Sequence, residues 1–184
     1  VITEEALQTL IGNAAPAATH PIRDWLEPGL LEGVATGDPQ AIFEVTKRRA
    51  GRGMSAADLK EAKAAASLTG ENGEDLLNSF FSAGKEAQVS EHKWISQGNA
   101  ISPYDFLLNL GDGKTRHVDA KSTAAKFETP LYLSTGEIKH ALTSDIPYDI
   151  YRLYGVTENR ANMRIARDIK NRLGDLQGIF DRLP

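Results

Sequence analysis

The segment that most constrains the fold of this chain runs from residue 102 to residue 123 and predicts a β-hairpin. Its arms are residues 104–110 and 114–121, and each alternates between two sets of side chains, as a strand with two different faces does. The turn signal Gly-Asp-Gly at 111–113 separates the arms. On the second arm, Asp119 and Lys121 lie two residues apart and therefore share one face of the predicted strand.

The length of the turn decides which residues of the hairpin face one another. A three-residue loop at 111–113 places Asp105 opposite Asp119. Directly opposite residues have Cβ atoms about 5 Å apart, so two carboxylates there repel unless a cation or a proton lies between them. A two-residue loop would instead pair Asp105 with Ala120 and turn Asp105 to the other face. A site that uses both aspartates therefore needs the three-residue loop or a bulge.

Composition restricts the classes of protein to which the chain can belong. With 184 residues and 41% hydrophobic content, it can form one domain of ordinary size, or one domain with a helical extension. It contains no cysteine, which excludes disulfides and thiolate metal sites but not an oxygen-ligand site for a hard cation. There is no apolar run of about 18 residues to cross a membrane, and no signal-peptide pattern opens the sequence. We therefore expect a cytoplasmic protein without a membrane partner.

The hydrophobic pattern changes along the chain from helical to alternating. Residues 1–69 predict helices and irregular segments, and the helical pattern continues beyond a break at Gly70 and Gly73. From Ala87 onward the pattern predicts strands at 89–96, 104–110, 114–121, 130–133 and 148–154, with a helix at 134–142. We therefore expect an α/β fold in which a helical N-terminal region, residues 1–69, precedes a domain at 70–184 with a mixed central sheet and flanking helices.

Two basic clusters are candidate contacts for nucleic-acid phosphates. The first is a loop that contains Lys47, Arg48, Arg49 and Arg52. The second comprises Arg160, Arg164 and Arg167, whose spacing is that of one face of a basic C-terminal helix predicted at 159–173. The formal net charge of −4 argues against indiscriminate binding of nucleic acid. Taken alone, each cluster fits a solvated surface better than a binding site.

Five short motifs occur in a recognisable order, namely GENGED at 70–75, PYD at 103–105, VDAKST at 118–123, STGE at 134–137 and YDIYR at 148–152. In this order, the motifs resemble those of the PD-(D/E)XK nuclease superfamily and, within it, those of the branch related to the C-terminal domain of the plant protein NO VEIN. The resemblance covers about half of the chain and leaves out residues 1–69. It implies a restriction-endonuclease-like core. Asp119 and Ala120 stand where the branch usually has Glu and Val, so the shorter carboxylate would hold a metal nearer the strand.

The resemblance also implies a set of site residues. Asp105 and Asp119, with the backbone carbonyl of Ala120, would hold Mg²⁺ or Mn²⁺. Lys121 would contact the attacking water, and Glu74 would join through the metal or a metal-bound water. These residue types suit the chemistry, because Mg²⁺ prefers oxygen ligands. A bound Mg²⁺ also lowers the pKa of water and stabilises charge that grows on a phosphate.

Most of these residues also have a purely structural interpretation. An Asp-x-Lys pair alone would be a surface ion pair at a sheet edge. Asp105 opposite the pair, and Glu74 at its expected place in the order of motifs, favour a site instead. Glu74 would equally suit a helix N-terminus, where the helix dipole favours acidic side chains. Ser134 and Glu137 have the spacing of a capping box, and we interpret Glu137 as structural. A lone histidine such as His117 is more often hydrogen-bonded than catalytic, and we leave it out of the site.

Two classes of function remain open on the sequence. The first is a metal-dependent nuclease that hydrolyses phosphodiester bonds, with DNA as the expected substrate and restriction or antiviral phage defence as the setting that the resemblance implies. The second is a non-catalytic nucleic-acid-binding or assembly module, because a fold does not fix a function. Intact Asp105, Asp119 and Lys121 favour the nuclease, whereas the acidic net charge and the lack of one large basic groove favour the module. A homodimer or a larger modular assembly is compatible with either.

Overall fold

The computed structural model describes residues 27–48 and 55–174. The chain divides into two compact units at the junction between Ser67 and Leu68. The helices are α1 (Pro28–Thr36), α2 (Pro39–Arg48), α3 (Ala56–Ser82) and α4 (Thr135–Thr143), and the strands are β1 (Val89–Trp94), β2 (Phe106–Leu110), β3 (Thr115–Thr123), β4 (Tyr148–Tyr154) and β5 (Asn162–Ala166). No helix in the described ranges is long and apolar enough to cross a membrane.

The described part of the first unit is helical, as the sequence predicts. Helix α1 begins at Pro28, which suits a first helical position because a proline has no N–H to leave unpaired. It ends at Gly37, whose φ of 80° is a left-handed conformation that glycine adopts without strain. A small apolar core is formed by Leu31, Val34, Ala41, Val45 and Ala62.

Helix α3 starts at a capping box and continues without a break. The N–H of Asp58 donates to Oγ of Ser55 at 3.1 Å, and the N–H of Ser55 donates to the Asp58 carboxylate at 2.9 Å. The helix passes through Gly70 and Gly73, so the predicted break is wrong. Gly73 serves close packing instead, because a Cβ at this position would collide with the side chain of Ser122 on β3.

The second unit contains a five-stranded mixed sheet in the order β1-β2-β3-β4-β5. The first three strands are antiparallel neighbours, β3 and β4 are parallel, and β5 is antiparallel to β4. This architecture confirms the predicted α/β fold with a mixed sheet and flanking helices. The chain passes from β3 to β4 through α4, as a parallel pair requires a crossover connection.

Two predicted elements are wrong. The segment 130–133 forms no strand, and it is mostly exposed and begins with Pro130, which cannot donate to a ladder. The basic C-terminal helix predicted at 159–173 is replaced in large part by β5, and helical conformation starts only at Lys170. Along β5 the half-buried Met163 and Ile165 alternate with exposed Arg164, which is the period of a strand and not of a helix.

The register of the β2–β3 hairpin agrees with the three-residue loop. Phe106 pairs with Val118, and the N–H of Leu110 donates to the carbonyl of Lys114 at 2.8 Å. Asp105 lies directly before β2, and its N–H donates to the carbonyl of Val118 at 2.8 Å. Asp105 is therefore held beside the part of β3 that carries the Asp-x-Lys motif.

Both faces of the sheet carry buried side chains. One face packs Phe106, Val118 and Tyr151 against side chains of α3 such as Leu77 and Phe81. The other packs Tyr148 and Ile150 in a cluster that includes Ala141 of α4. Since Asp119 pairs with Ile150 in the parallel ladder, it points to the α4 face, and so does Lys121.

Candidate active site at the β2–β3 hairpin

Asp105 is fixed against β3 by its own side chain. Its Oδ2 accepts a hydrogen bond from the N–H of Ala120 at 2.7 Å. Burial raises the pKa of Asp105 above its ordinary value, the Ala120 bond opposes this, and the negative charge of Glu74 adds to it. Lys121 and a hydrogen bond with Asp119 also lower this pKa, so the four predicted side chains share one electrostatic environment.

Asp119 is the most buried carboxylate of this group, with only 3% of the residue exposed. Burial raises the pKa of Asp119 to about 8. The Lys121 charge opposes that rise, whereas Glu137 and Asp105 add to it. Within the described structure, Oδ2 of Asp119 accepts no hydrogen bond of acceptable geometry, although the Lys121 ammonium lies 3.0 Å away. Three carboxylates therefore compete for one ammonium group, which favours an added proton or a cation.

Lys121 lies between two carboxylates. Its Nζ is 3.0 Å from Oδ2 of Asp119 and 3.0 Å from Oε1 of Glu137. Burial alone would lower the pKa of Lys121, but the two negative charges outweigh it and raise the pKa. The lysine therefore carries its charge at neutral pH, in a place from which water is largely excluded.

Glu137 contacts the site, which the sequence interpretation missed. It does complete the predicted capping box, because Oε2 accepts from the N–H of Ser134 at 2.6 Å and the N–H of Glu137 donates to Oγ of Ser134 at 3.2 Å. Its other oxygen, Oε1, accepts a hydrogen bond from Lys121. The interpretation of Glu137 as structural was thus incomplete, and its place in the family pattern was the signal that pointed to the site.

Glu74 lies well inside α3, so the alternative of a helix N-terminus does not apply to it. Its Oε2 accepts hydrogen bonds from Nε1 of Trp94 at 2.9 Å and from Oγ of Ser96 at 2.6 Å. With Asp105, these three residues line a cleft of about 510 Å³, whose other lining residues are Glu71, Asp75, Gln97 and Ala100. The cleft gives solvent-borne molecules a path to Asp105.

A pair of histidines packs beside the site. Nδ1 of His117 and Nε2 of His140 are 2.9 Å apart, and the ring of Tyr104 stacks on His117 with centroids 3.9 Å apart. Burial lowers the pKa of His117 to about 4, and the neighbouring His140 adds to this shift. His117 is therefore neutral at neutral pH, which fits a packed, hydrogen-bonded histidine.

The part of the chain that carries this site matches a known family model. The family model described as "Protein NO VEIN, C-terminal" matches residues 73–166, just over half of the chain. The chain belongs to this family. The matched NO VEIN C-terminal region contains Glu74, the β2–β3 hairpin and Glu137. No curated protein and no solved structure shows a significant match to the chain.

The first basic cluster lies outside the NO VEIN C-terminal region. Lys47 and Arg48 are at the end of α2, where Lys47 is exposed. Arg49 and Arg52 lie outside the described residues. The contribution of this cluster to nucleic-acid binding stays a prediction.

The structure does not bring the second basic cluster onto one helical face. Arg160 is exposed in the loop before β5, and Arg164 is exposed on β5 with its guanidinium 4.4 Å from the centre of the Phe127 ring. Arg167 donates to Oδ2 of the fully buried Asp149 at 2.8 Å and to Glu86 at 2.9 Å. Most of the Arg167 guanidinium is therefore engaged in a structural ion-pair network, which makes it a weaker candidate for a phosphate contact than Arg164.

The donor set at the hairpin fits a hard divalent cation. Asp105, Asp119 and the carbonyl of Ala120 offer oxygen atoms only, and the buried Oδ2 of Asp119 accepts no well-aligned hydrogen bond, with the Lys121 ammonium 3.0 Å away as its neighbour. Among residues 27–48 and 55–174, no three or more His, Cys, Asp or Glu side chains form a ready-made metal cage. Mg²⁺ does not need such a cage, because it is commonly held by one or two carboxylates and keeps several waters.

Proposed function

We propose that this chain is a metal-dependent nuclease of the PD-(D/E)XK superfamily that hydrolyses phosphodiester bonds in DNA. The observation that carries the proposal is the largely buried group formed by Asp105, directly before β2, and by Asp119 and Lys121 on β3. Burial and repulsion from other carboxylates raise the pKa of both aspartates, since Glu74 adds to the rise at Asp105 and Glu137 and Asp105 add to it at Asp119. Groups with strongly shifted pKa values concentrate at functional sites. In a purely structural core, repulsion between buried carboxylates would only destabilise the fold.

In this proposal, Asp105, Asp119 and the carbonyl of Ala120 hold Mg²⁺ or Mn²⁺. When bound, the cation lowers the pKa of a water molecule and stabilises negative charge on the phosphate. The two carboxylates supply the charge that attracts it, and the Ala120 N–H fixes one of them in advance. Cation binding also relieves the repulsion between the aspartates, so it stabilises the folded protein by mass action.

Lys121 contributes a fixed positive charge beside the carboxylates. It can donate a hydrogen bond to the attacking water or to a non-bridging oxygen of the phosphate, where charge grows in the transition state. Its effect is strong because the side chain is only 17% exposed and water competes weakly. Glu74 is held by Trp94 and Ser96 at the wall of the cleft and can accept a hydrogen bond from water near Asp105.

The proposal is tested by a nuclease assay on single- and double-stranded DNA and RNA, with Mg²⁺, Mn²⁺ or EDTA. We expect the wild type to cleave only with a divalent cation and Asp119→Asn to lose about 100-fold or more of the rate. Asp112→Asn is the matched control, since Asp112 is exposed in the hairpin turn and pairs with Lys114. It should cleave like the wild type.

A wild type that shows neither cleavage nor cation-dependent stabilisation would refute the nuclease proposal. The second function, a non-catalytic nucleic-acid-binding or assembly module, would then take its place, and binding of DNA in EDTA would support it. On the basis of composition we place the activity in the cytoplasm, and following the family resemblance we place it in restriction or phage defence. A homodimer or a larger modular assembly would supply further contacts to DNA.

A further inference from the structure

Lys121 has two carboxylate partners, and only one of them belongs to the expected cation site. Its ammonium is 3.0 Å from Oδ2 of Asp119 on its own strand and 3.0 Å from Oε1 of Glu137 on α4. A divalent cation and the ammonium of Lys121 compete for the same oxygen of Asp119. Once the cation has that oxygen, Asp119 no longer holds the ammonium, and Lys121 needs its other carboxylate partner to stay in place.

Glu137 is suited to be this partner because its own side chain is fixed. Oε2 is engaged by the N–H of Ser134 at 2.6 Å, at the start of α4. Oε1 is thereby directed to Lys121, and the Glu137 side chain is only 20% exposed. The two oxygens of one carboxylate thus join the first turn of α4 to the lysine of β3.

We propose that Glu137 is a positioning residue, which holds the ammonium of Lys121 at the reacting phosphate after a divalent cation has taken the oxygens of Asp119. The inference rests on the proposed nuclease function and deepens it. Glu137 touches neither the phosphate nor the cation in this proposal, and its effect passes through Lys121. Helix capping and lysine positioning are two separate tasks of the same carboxylate.

Two substitutions separate these tasks. Glu137→Gln keeps an acceptor for the Ser134 N–H, since glutamine serves in a capping box as glutamate does, but it removes the charge that holds Lys121. Ser134→Ala removes the hydroxyl half of the capping box and leaves the Glu137 carboxylate intact. Ser134→Ala is therefore the matched control for any effect of a weakened α4.

The first measurement follows the ammonium group of Lys121 directly. ¹H–¹⁵N correlation spectra of lysine side chains are recorded in EDTA and in Mg²⁺, and Lys121→Ala assigns the signal. We expect the wild type and Ser134→Ala to show a slowly exchanging Lys121 ammonium in both conditions. In Glu137→Gln, this signal should disappear in Mg²⁺. An unchanged Lys121 signal in Glu137→Gln with Mg²⁺ would overturn the proposal.

The second measurement is cleavage kinetics in Mg²⁺. We expect Glu137→Gln to lower kcat about 10- to 100-fold with KM within about twofold, because the misplaced lysine acts in the transition state. Ser134→Ala should stay within about twofold of wild type at temperatures below its Tm. Equal kcat in Glu137→Gln and wild type would also overturn the proposal. A wild type that cleaves nothing would overturn the nuclease function instead, while the spectra would still decide whether Glu137 holds Lys121.

Discussion

Oδ2 of Asp105 accepts a hydrogen bond at 2.7 Å from the N–H of Ala120, the residue between Asp119 and Lys121. This bond ties the first carboxylate to the strand that carries the other two site residues. The spacing of the two aspartates is therefore set by the hairpin before any cation binds. Such advance positioning reduces the reorganisation that cation binding would otherwise require.

Stability without a cation should depend on pH through the buried aspartates. Burial raises the pKa of Asp119 to about 8, so between the ordinary Asp value and about 8 the folded protein binds more protons than the unfolded chain. Stability must then fall as pH rises through this window. We expect Tm in EDTA to drop by about 2–4 °C between about pH 7 and pH 8.5, a window above the ordinary pKa of histidine, so that the lowered pKa values of His117 and His140 oppose the fall only slightly.

Thermal melts with and without Mn²⁺ check this expectation. The cation should remove most of the fall, because at about 100 times its Kd it stabilises by about 2.7 kcal/mol, or roughly 5–10 °C. Asp119→Asn should remove both the pH dependence and the response to Mn²⁺, whereas the exposed Asp112→Asn should keep both. A Tm in EDTA that rises over this pH range would contradict the raised pKa.

Loss of the lysine should separate cation binding from chemistry. In Lys121→Ala, both aspartates remain, so Tm should still rise in Mn²⁺. Cleavage should fall about 10²- to 10⁴-fold, since the charge beside the phosphate is gone. Lys114→Ala is the control, because Lys114 is exposed and pairs only with Asp112 among the described residues. If Lys121→Ala lost the Mn²⁺ response, the lysine would have to support the cation site itself.

Asp149 should stabilise the fold and not take part in the chemistry. It is fully buried and accepts hydrogen bonds from Arg116 at 3.0 Å, Arg167 at 2.8 Å and the N–H of Asp168 at 2.8 Å. Asp149→Ala leaves Arg116 without its carboxylate and Arg167 with that of Glu86 alone among the described residues, which should cost about 3–5 kcal/mol and lower Tm by roughly 10 °C. Exposed Asp145→Ala should change Tm by less than about 2 °C. Equal Tm values for the two variants would disprove the structural role of Asp149.

Two arginines of the second basic cluster should differ in role, with Arg164 a candidate DNA contact and Arg167 a structural residue. Arg164→Glu should weaken DNA binding and flatten its dependence on salt, because Arg164 is exposed on β5. Arg167→Ala should mainly lower Tm, since this residue holds Asp149 and Glu86. Binding titrations at several salt concentrations distinguish the two effects. Unchanged affinity and salt slope in Arg164→Glu would remove Arg164 from the interface.

The hairpin could be predicted from sequence because its determinants are local. The alternation of the two arms and the glycines of the turn predict the hairpin but leave two registers open, and the structure shows the register of the three-residue loop. That register brings Asp105 beside β3, where its carboxylate meets the Ala120 N–H. The capping box of Ser134 and Glu137 was equally readable, since both residues lie within one helical turn.

The rest depended on contacts between segments distant in sequence. Arg160, Arg164 and Arg167 have helical spacing, but pairing with β4 makes the segment a strand, and propensity yields to such tertiary pairing. From the sequence alone, Gly73 predicts a helix break. Its role in close packing becomes clear only from the position of Ser122 on β3, which is far away in sequence. The contact of Glu137 with Lys121 could not be predicted from local sequence, because it depends on how the connection from β3 to α4 places the two residues.

The order in which the chain can assemble its site follows from these separations. Asp105 meets Ala120 across 15 residues and Lys121 meets Glu137 across 16, whereas Arg116 meets Asp149 across 33 and Tyr148 meets Pro103 across 45. Short loops close first, so the carboxylates meet before β4 seals them from water, and their repulsion grows as folding is completed. We therefore expect Mg²⁺ to raise the refolding rate constant at about pH 8, measured by stopped-flow tryptophan fluorescence. If Mg²⁺ only slowed unfolding, the cation would enter after the rate-limiting barrier, and the site would be the last part of the sheet to form.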